Sequence, residues 1–238
     1  MKIHTLLSTI ILLALVLTVG ITKAQTAPAA GPSDATSAPP ATAASVGKVL
    51  CYGQNISITG PTETPTTDYA VYHWYKIDAN GNKQLTNVTT KTYTETTTTA
   101  GYYNYQVVTE NANGCSSPIS DVFKIYVLPE LSVSVTTPTS SLCAGAGTTT
   151  VLTANVTPTN VSPSTTSPVY GVKYVWTRDG QPITGANSNT YTVSGETTVA
   201  TVRFAVTVSY DLNTSCTATG YKDVVITPLP TKPVISAN

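Results

Sequence analysis

Apolar residues recur at every second position in short runs along most of the chain. Ile56 and Ile58 alternate with Ser57 and Thr59, and Tyr72 and Trp74 alternate with Val71, His73 and Tyr75. Tyr103, Tyr105 and Val107 alternate with Asn104 and Gln106, and Phe123, Ile125 and Val127 with Lys124 and Tyr126. The second half repeats the pattern with Leu152, Ala154 and Val156, then Tyr174 and Trp176, then Phe204, Val206 and Val208, then Val224 and Ile226. A period of two is that of a half-buried strand, whose side chains point to opposite faces. Asn80-Gly81 and Asp179-Gly180 follow the two Trp residues closely and predict hairpin turns, because their residue types tolerate positive φ. Short alternating strands with turn signals between them predict an all-β sandwich architecture.

The pattern is a repeat. Cys115 and Cys216 are 101 residues apart, as are Tyr103 and Phe204, Leu128 and Leu229, and Pro129 and Pro230. Trp74 and Trp176 are 102 apart, and Cys51 and Cys143 are 92 apart. Two modules follow, at 48–129 and 130–230, each closed by Leu-Pro and each holding an early Cys, a central Trp and a late Cys. Trp74, Tyr103, Trp176 and Phe204 are the expected core residues. Leu131 to Val135 opens the second module just after Leu128-Pro129. Val234, in Pro233-Val234-Ile235-Ser236, stands at the same place after Leu229-Pro230. Residues 231–238 therefore read as a tail or as the start of a further module in a longer repeat protein.

The N-terminus is different in kind. Lys2 precedes an apolar run from Leu6 to Val19, and Thr22-Lys23-Ala24 offers small residues where a signal peptidase reads. A cleavable signal peptide is expected at 1–24, and the run is short for a membrane span. No Cys lies near the end of that run to carry a lipid. The mature chain is thus expected to be secreted or held at the cell surface, with no transmembrane anchor. Residues 25–47, rich in Ala, Pro, Thr and Ser, read as a disordered linker.

The order of motifs resembles the tandem Ig-like/PKD-like modules of secreted and cell-surface proteins of Bacteroidota. Cys51-Tyr-Gly-Gln-Asn, His73-Trp74-Tyr75, Gly101-Tyr102-Tyr103 and Asn113-Gly114-Cys115-Ser116 carry the likeness, together with the leader ending in Ala24-Gln25. The resemblance implies two tandem Ig-like antiparallel β-sandwiches, each with one disulfide. One departure is plain. In antibody domains the second Cys lies two residues after the corner tyrosine, whereas Cys115 lies twelve after Tyr103.

Four Cys allow three connectivities. The repeat favours Cys51–Cys115 and Cys143–Cys216, which closes each module on itself and leaves no free thiol. Such a bridge is worth about 4 kcal/mol in the chain-entropy account. Thiolate metal ligation fails on spacing, since no Cys-x-x-Cys exists.

Charge and chemistry narrow the function. Twelve basic and twelve acidic residues balance, and only 10% of residues are charged, which leaves no basic face for nucleic acid. Of the two His, His4 lies in the leader, and the carboxylates are scattered, so no catalytic residue, metal site or cofactor is expected. Asp78-Ala79-Asn80-Gly81-Asn82 lacks the later bidentate carboxylate of a calcium loop and reads as a hairpin turn. If Trp74 faces inward, His73, Tyr75, Gln106 and Tyr126 form an outward binding face, with Val175, Thr177, Thr207 and Thr227 as their plainer counterparts. The expected function is a non-catalytic extracellular module for adhesion or surface spacing, its partner a surface protein or a glycan. An accessory carbohydrate-binding segment of a larger secreted enzyme and a subunit of a surface filament built by strand addition are the alternatives.

Overall fold

The computed structural model describes residues 28, 31–145, 147–159 and 170–236. The leader expected at 1–24 lies outside them. Each alternating run is a strand. The first sandwich comprises β1 (Lys48–Leu50), β2 (Asn55–Thr59), β3 (Thr62–Thr64), β4 (Thr67–Asp68), β5 (Val71–Ile77), β6 (Lys83–Leu85), β7 (Thr92–Thr96), β8 (Gly101–Glu110) and β9 (Phe123–Val127). The second comprises β10 (Glu130–Thr136), β11 (Ser141–Cys143), β12 (Thr150–Thr159), β13 (Val172–Arg178), β14 (Gln181–Pro182), β15 (Thr190–Val193), β16 (Ala200–Tyr210) and β17 (Thr217–Thr227).

The larger sheets have the same order in both, β1-β9-β8-β5-β6 and β11-β17-β16-β13-β14. Opposite them lie β2-β7 in the first sandwich and β10-β12-β15 in the second. β1 runs parallel to β9 and β11 parallel to β17, while the other pairs are antiparallel. This division of strands between two packed sheets is that of an Ig-like sandwich, formed twice.

The cores follow from the period of two. Trp74, Tyr103 and Tyr105 face Ile56, Ile58 and Tyr93 in the first sandwich; Trp176, Phe204 and Val206 face Leu152 and Val193 in the second. All four expected core residues are buried. Each indole solves its polar problem alike: Trp74 Nε1 donates to the Thr90 carbonyl and Trp176 Nε1 to that of Ser188, both at 2.9 Å. The predicted turns also form. Arg178 pairs with Gln181, leaving Asp179 (φ 48°) and Gly180 (φ 83°) as a two-residue hairpin loop. In the other, the Asp78 carboxylate accepts from the N–H groups of Asn80 and Asn82, so its oxygens serve the turn.

Residues 31–47 correct the expectation of a free linker across 25–47. Asp34 and Tyr102 exchange backbone hydrogen bonds (3.1 and 2.7 Å), and Tyr102 Oη donates to the Ala38 carbonyl. Buried Ser33 accepts from the Asn104 N–H. The approach is so close that a Cβ at Gly101 (φ 136°) would stand 2.6 Å from the Asp34 carbonyl oxygen. The Asp34 carboxylate accepts from the N–H groups of Thr36 and Ser37. Hydrogen bonds to β8 hold its first half, and Val46 packs on the joint cluster at its end, contacts that leave no mark in composition.

The two sandwiches differ at one edge. β10 runs antiparallel along β12, from Glu130 opposite Thr159 to Thr136 opposite Thr153, and packs on β17. There a Cβ at Gly220 would meet the Val133 carbonyl at 2.8 Å. Among the described residues the first sandwich has no equivalent strand, and β2 pairs with β7 alone.

Candidate functional site

Strand direction decides where each cysteine can reach. Leu50 at the end of β1 lies opposite Val127 at the end of β9, so Cys51 stands at the pole where the chain passes into the second sandwich. Cys115 lies in the turn that follows β8, ten residues long, hence about 30 Å away at the opposite pole. A disulfide needs its Cα atoms within about 7 Å. Cys143 and Cys216 are separated in the same way by the length of β16 and β17. The expected pairings Cys51–Cys115 and Cys143–Cys216 are therefore overturned. Cys51 is bonded to Cys216, in the β16–β17 turn, with Cα atoms 5.3 Å apart. Cys115, exposed, and Cys143, half-buried, are free thiols.

That bond closes a joint between the sandwiches. Tyr126, Leu128, Tyr210 and Cys216 are buried there, flanked by Val49, Tyr102, Leu131 and Tyr170. Tyr126 Oη and Tyr170 Oη are 3.0 Å apart, Tyr210 Oη donates to the Pro129 carbonyl, and Asn213 Nδ2 donates to that of Val49. The ring pairs Tyr102–Tyr126 and Tyr170–Tyr210 pack at steep angles, with centroids 4.7 and 5.4 Å apart. Burial, foremost, raises the pKa of Tyr126, Tyr170 and Tyr210 above the usual tyrosine value.

The predicted binding face breaks up on this geometry. Tyr126 does point away from the first core, but the second sandwich covers it, and only 2% of it is exposed. Gln106 is buried under residues 117–121, with Nε2 donating to the Ser120 carbonyl and Oε1 left without a partner. His73 and Tyr75 remain half-exposed, with His73 Nε2 at 3.3 Å from Glu110 Oε2. Of their counterparts, Val175 is exposed, while Thr177, Thr207 and Thr227 are half-buried.

A polar cluster inside the first sandwich escaped the sequence reading. Lys76 Nζ pairs with Glu95 Oε1, and Tyr93 Oη and Tyr105 Oη each donate to Glu95 Oε2 at 2.8 Å. Lys76 Nζ also stands 5.2 Å from the centre of the Tyr103 ring. Burial pushes the Tyr103 hydroxyl up to about 12, and the negative charge of Glu95 adds to it. The signal was present: Lys76 shares the inward register of Tyr72 and Trp74, and Glu95 shares that of Tyr93.

Beside the bare edge of β2 runs a groove of about 410 Å³. Ile58, Trp74, Tyr105, Val107 and Phe123 line it, and Gln106 closes one side. In the second sandwich the last residues of β10 lie at the corresponding place, with Val135 opposite Ala154 and Thr136 opposite Thr153.

No family model and no curated protein matches the chain. Among solved structures it is similar to the fibronectin(III)-like modules of Clostridium thermocellum CbhA, at 14% identity over 85% of this chain and 99% of that one (TM-score 0.41). It is also similar to the three N-terminal domains of the bacteriophage RB49 highly immunogenic outer capsid protein, at 20% identity over 75% and 56% of the two chains (TM-score 0.38). A third likeness is to the N-terminal four Ig domains of Dscam1 isoform 8.4, at 15% identity over 76% and 43% (TM-score 0.34). The strand order defines the fold without them.

Proposed function

We propose that the chain is a non-catalytic, exported protein of two Ig-like modules, 48–129 and 130–230, that acts as a stiff spacer at the cell surface, in the manner of the Bacteroidota surface proteins it resembles. The joint carries this reading. A covalent bond, a buried leucine and paired tyrosines bridge the two sandwiches where a single peptide link would leave a hinge. A disulfide at that position belongs to an oxidising compartment, which supports export by the leader at 1–24. An adhesive partner, a surface protein or a glycan, would meet the half-exposed His73 and Tyr75. Because the face does not gather its four members, the spacer is better supported than an accessory carbohydrate-binding segment.

The test is made on protein recovered from outside the cell. N-terminal sequencing should begin at Gln25, and unreduced peptide mapping should yield Cys51 linked to Cys216. Small-angle scattering should fit one rigid shape, which Cys51→Ser loosens. Recovery of the protein only from the cytoplasm, or scattering unchanged by Cys51→Ser together with independent motion of the halves, would overturn the reading.

A further inference from the structure

The chain enters the molecule beside its joint. Asp34 pairs with Tyr102, next to Gly101, and Gly101 lies opposite Val127 at the pole that the second sandwich covers. β1 is only three residues long and ends at Leu50, also opposite Val127. The next residue, Cys51, is bonded to Cys216. From there β17 runs for eleven residues, Thr217 to Thr227, along β16 to the far pole of the second sandwich. The first sandwich after β1, and the second up to the turn before β17, thus lie within a loop that the sulfur–sulfur bond closes. A strand already rises about 3.3–3.4 Å per residue, so β17 pulled at both ends has little slack to give.

We propose that the Cys51–Cys216 bond is a reducible strain limiter. While it is intact, tension between residues ahead of Cys51 and residues after β17 runs through the two sulfurs and along β17, and bypasses residues 52–215. When a small thiol cuts it, the same tension falls on both sandwiches. The first is then held against the load by β1, whose ladder on β9 has three residue pairs. The inference deepens the spacer reading and rests on it for the source of the tension.

The bond can be reached. A cleft of about 330 Å³ opens beside it, lined by both cysteines together with Tyr52, Gln54, Pro129 and Ser215. Cys51 is half-buried and Cys216 is 7% exposed, so attack falls on the Cys51 sulfur. The thiolate of a small dithiol forms a bond to that sulfur, and Cys216 leaves as a thiolate and takes up a proton. The second sulfur of the dithiol then displaces Cys51. One protein disulfide is reduced to two thiols, and one dithiol is oxidised to a cyclic disulfide. The load path parts at the first of these steps.

The test pulls single molecules of the full chain by tags at its two ends, with dithiothreitol as the thiol. All samples carry Cys115→Ser and Cys143→Ser, so that no other thiol trades into the bond. The further variant Cys51→Ser sets the force at which both sandwiches unfold. The two cysteines are 165 residues apart, so unfolding between them releases a contour length of about 550 Å. Held at that force, the oxidised protein should show no such release. Adding dithiothreitol should trigger it, after a wait that shortens tenfold for a tenfold rise in thiol. Oxidised protein that holds its length in dithiothreitol would overturn the proposal. So would a wait indifferent to thiol concentration, which would mean that the bond is reached only after unfolding. Release without thiol would overturn it as well. Peptide mapping of the same sample separates the two readings: a missing Cys51–Cys216 link sinks the spacer too, whereas with the link present only the strain limiter falls.

Discussion

Leu128 and Leu229 stand at the same point of the repeat, the first wholly buried and the second 52% exposed. What separates them is the second sandwich, which covers the pole of the first and leaves its own pole bare. Leu128→Ala should therefore cost about 2–5 kcal/mol in urea unfolding, whereas Leu229→Ala in dilute monomer should stay within about 0.5 kcal/mol of the parent. Equal losses would show that Leu128 owes its burial to the first core and not to the joint.

Reduction of the one bonded pair should destabilise the chain strongly. Cys51 and Cys216 are 165 residues apart, and closing so long a loop is worth about 5 kcal/mol in the chain-entropy account. The Cys51→Ser midpoint in denaturant should fall accordingly, and adding reductant to that variant should change nothing further. A further drop on reduction would mean that another disulfide had formed.

Alkaline pH should open the joint. Tyr126, Tyr170 and Tyr210 titrate above the usual 10.0, chiefly through burial. A raised pKa in the folded state means stability that is complete below pH 10 and declines as pH rises past it, because the unfolded chain ionises first. Phenolate absorbance should therefore lag behind that of free tyrosine and then appear together with loss of structure. Tyr126→Phe should remove part of this dependence.

Lys76→Met should be among the most damaging single changes in the first sandwich. It removes the cation from the Lys76–Glu95 pair beneath the sheet and leaves the Tyr93 and Tyr105 hydroxyls as donors to Glu95, a loss of about 3–5 kcal/mol. Adding Glu95→Gln should restore part of it, and chemical denaturation of the single and double variants measures the recovery. A double variant no better than Lys76→Met would show that the pair is not coupled.

Acid should release the segment ahead of β1. Burial works against ionisation of Asp34, but hydrogen bonds from Ser37 and Thr36 outweigh it and lower the carboxyl to about 2. A depressed pKa gives stability that is present above pH 3.8 and lost as pH falls towards 2. Amide exchange at Tyr102 should stay slow at pH 4 and quicken near pH 2, and in Asp34→Ala it should be fast at both.

Strand positions, turns and cores were legible because each is a local pattern. The period of two set Trp74 and Trp176 inward, and Asp179-Gly180 needed only its own residue types. The repeat does not give the cysteine pairing, because it says which residues are equivalent, not which are close. Converted to a length, the run of β8 puts Cys51 and Cys115 at opposite poles. The exposure of Tyr126 and Gln106 is not legible in the period of two, since what covers them comes from a distant module and from an irregular loop. The bare edge of β2 was legible in principle: the second module opens with the alternating run Leu131 to Val135, and nothing like it introduces the first.

The bond between Cys51 and Cys216 also sets an order of events during biosynthesis. Cys115 and Cys143 both lie between Cys51 and its partner in the sequence. An oxidase acting on neighbours as they emerge would join Cys51 to Cys115, a crosslink that survives only while β8 remains unformed. With that strand formed, its length carries Cys115 out of reach of Cys51. A ten-residue strand thus measures out the gap that a Cys51–Cys115 crosslink would have to span.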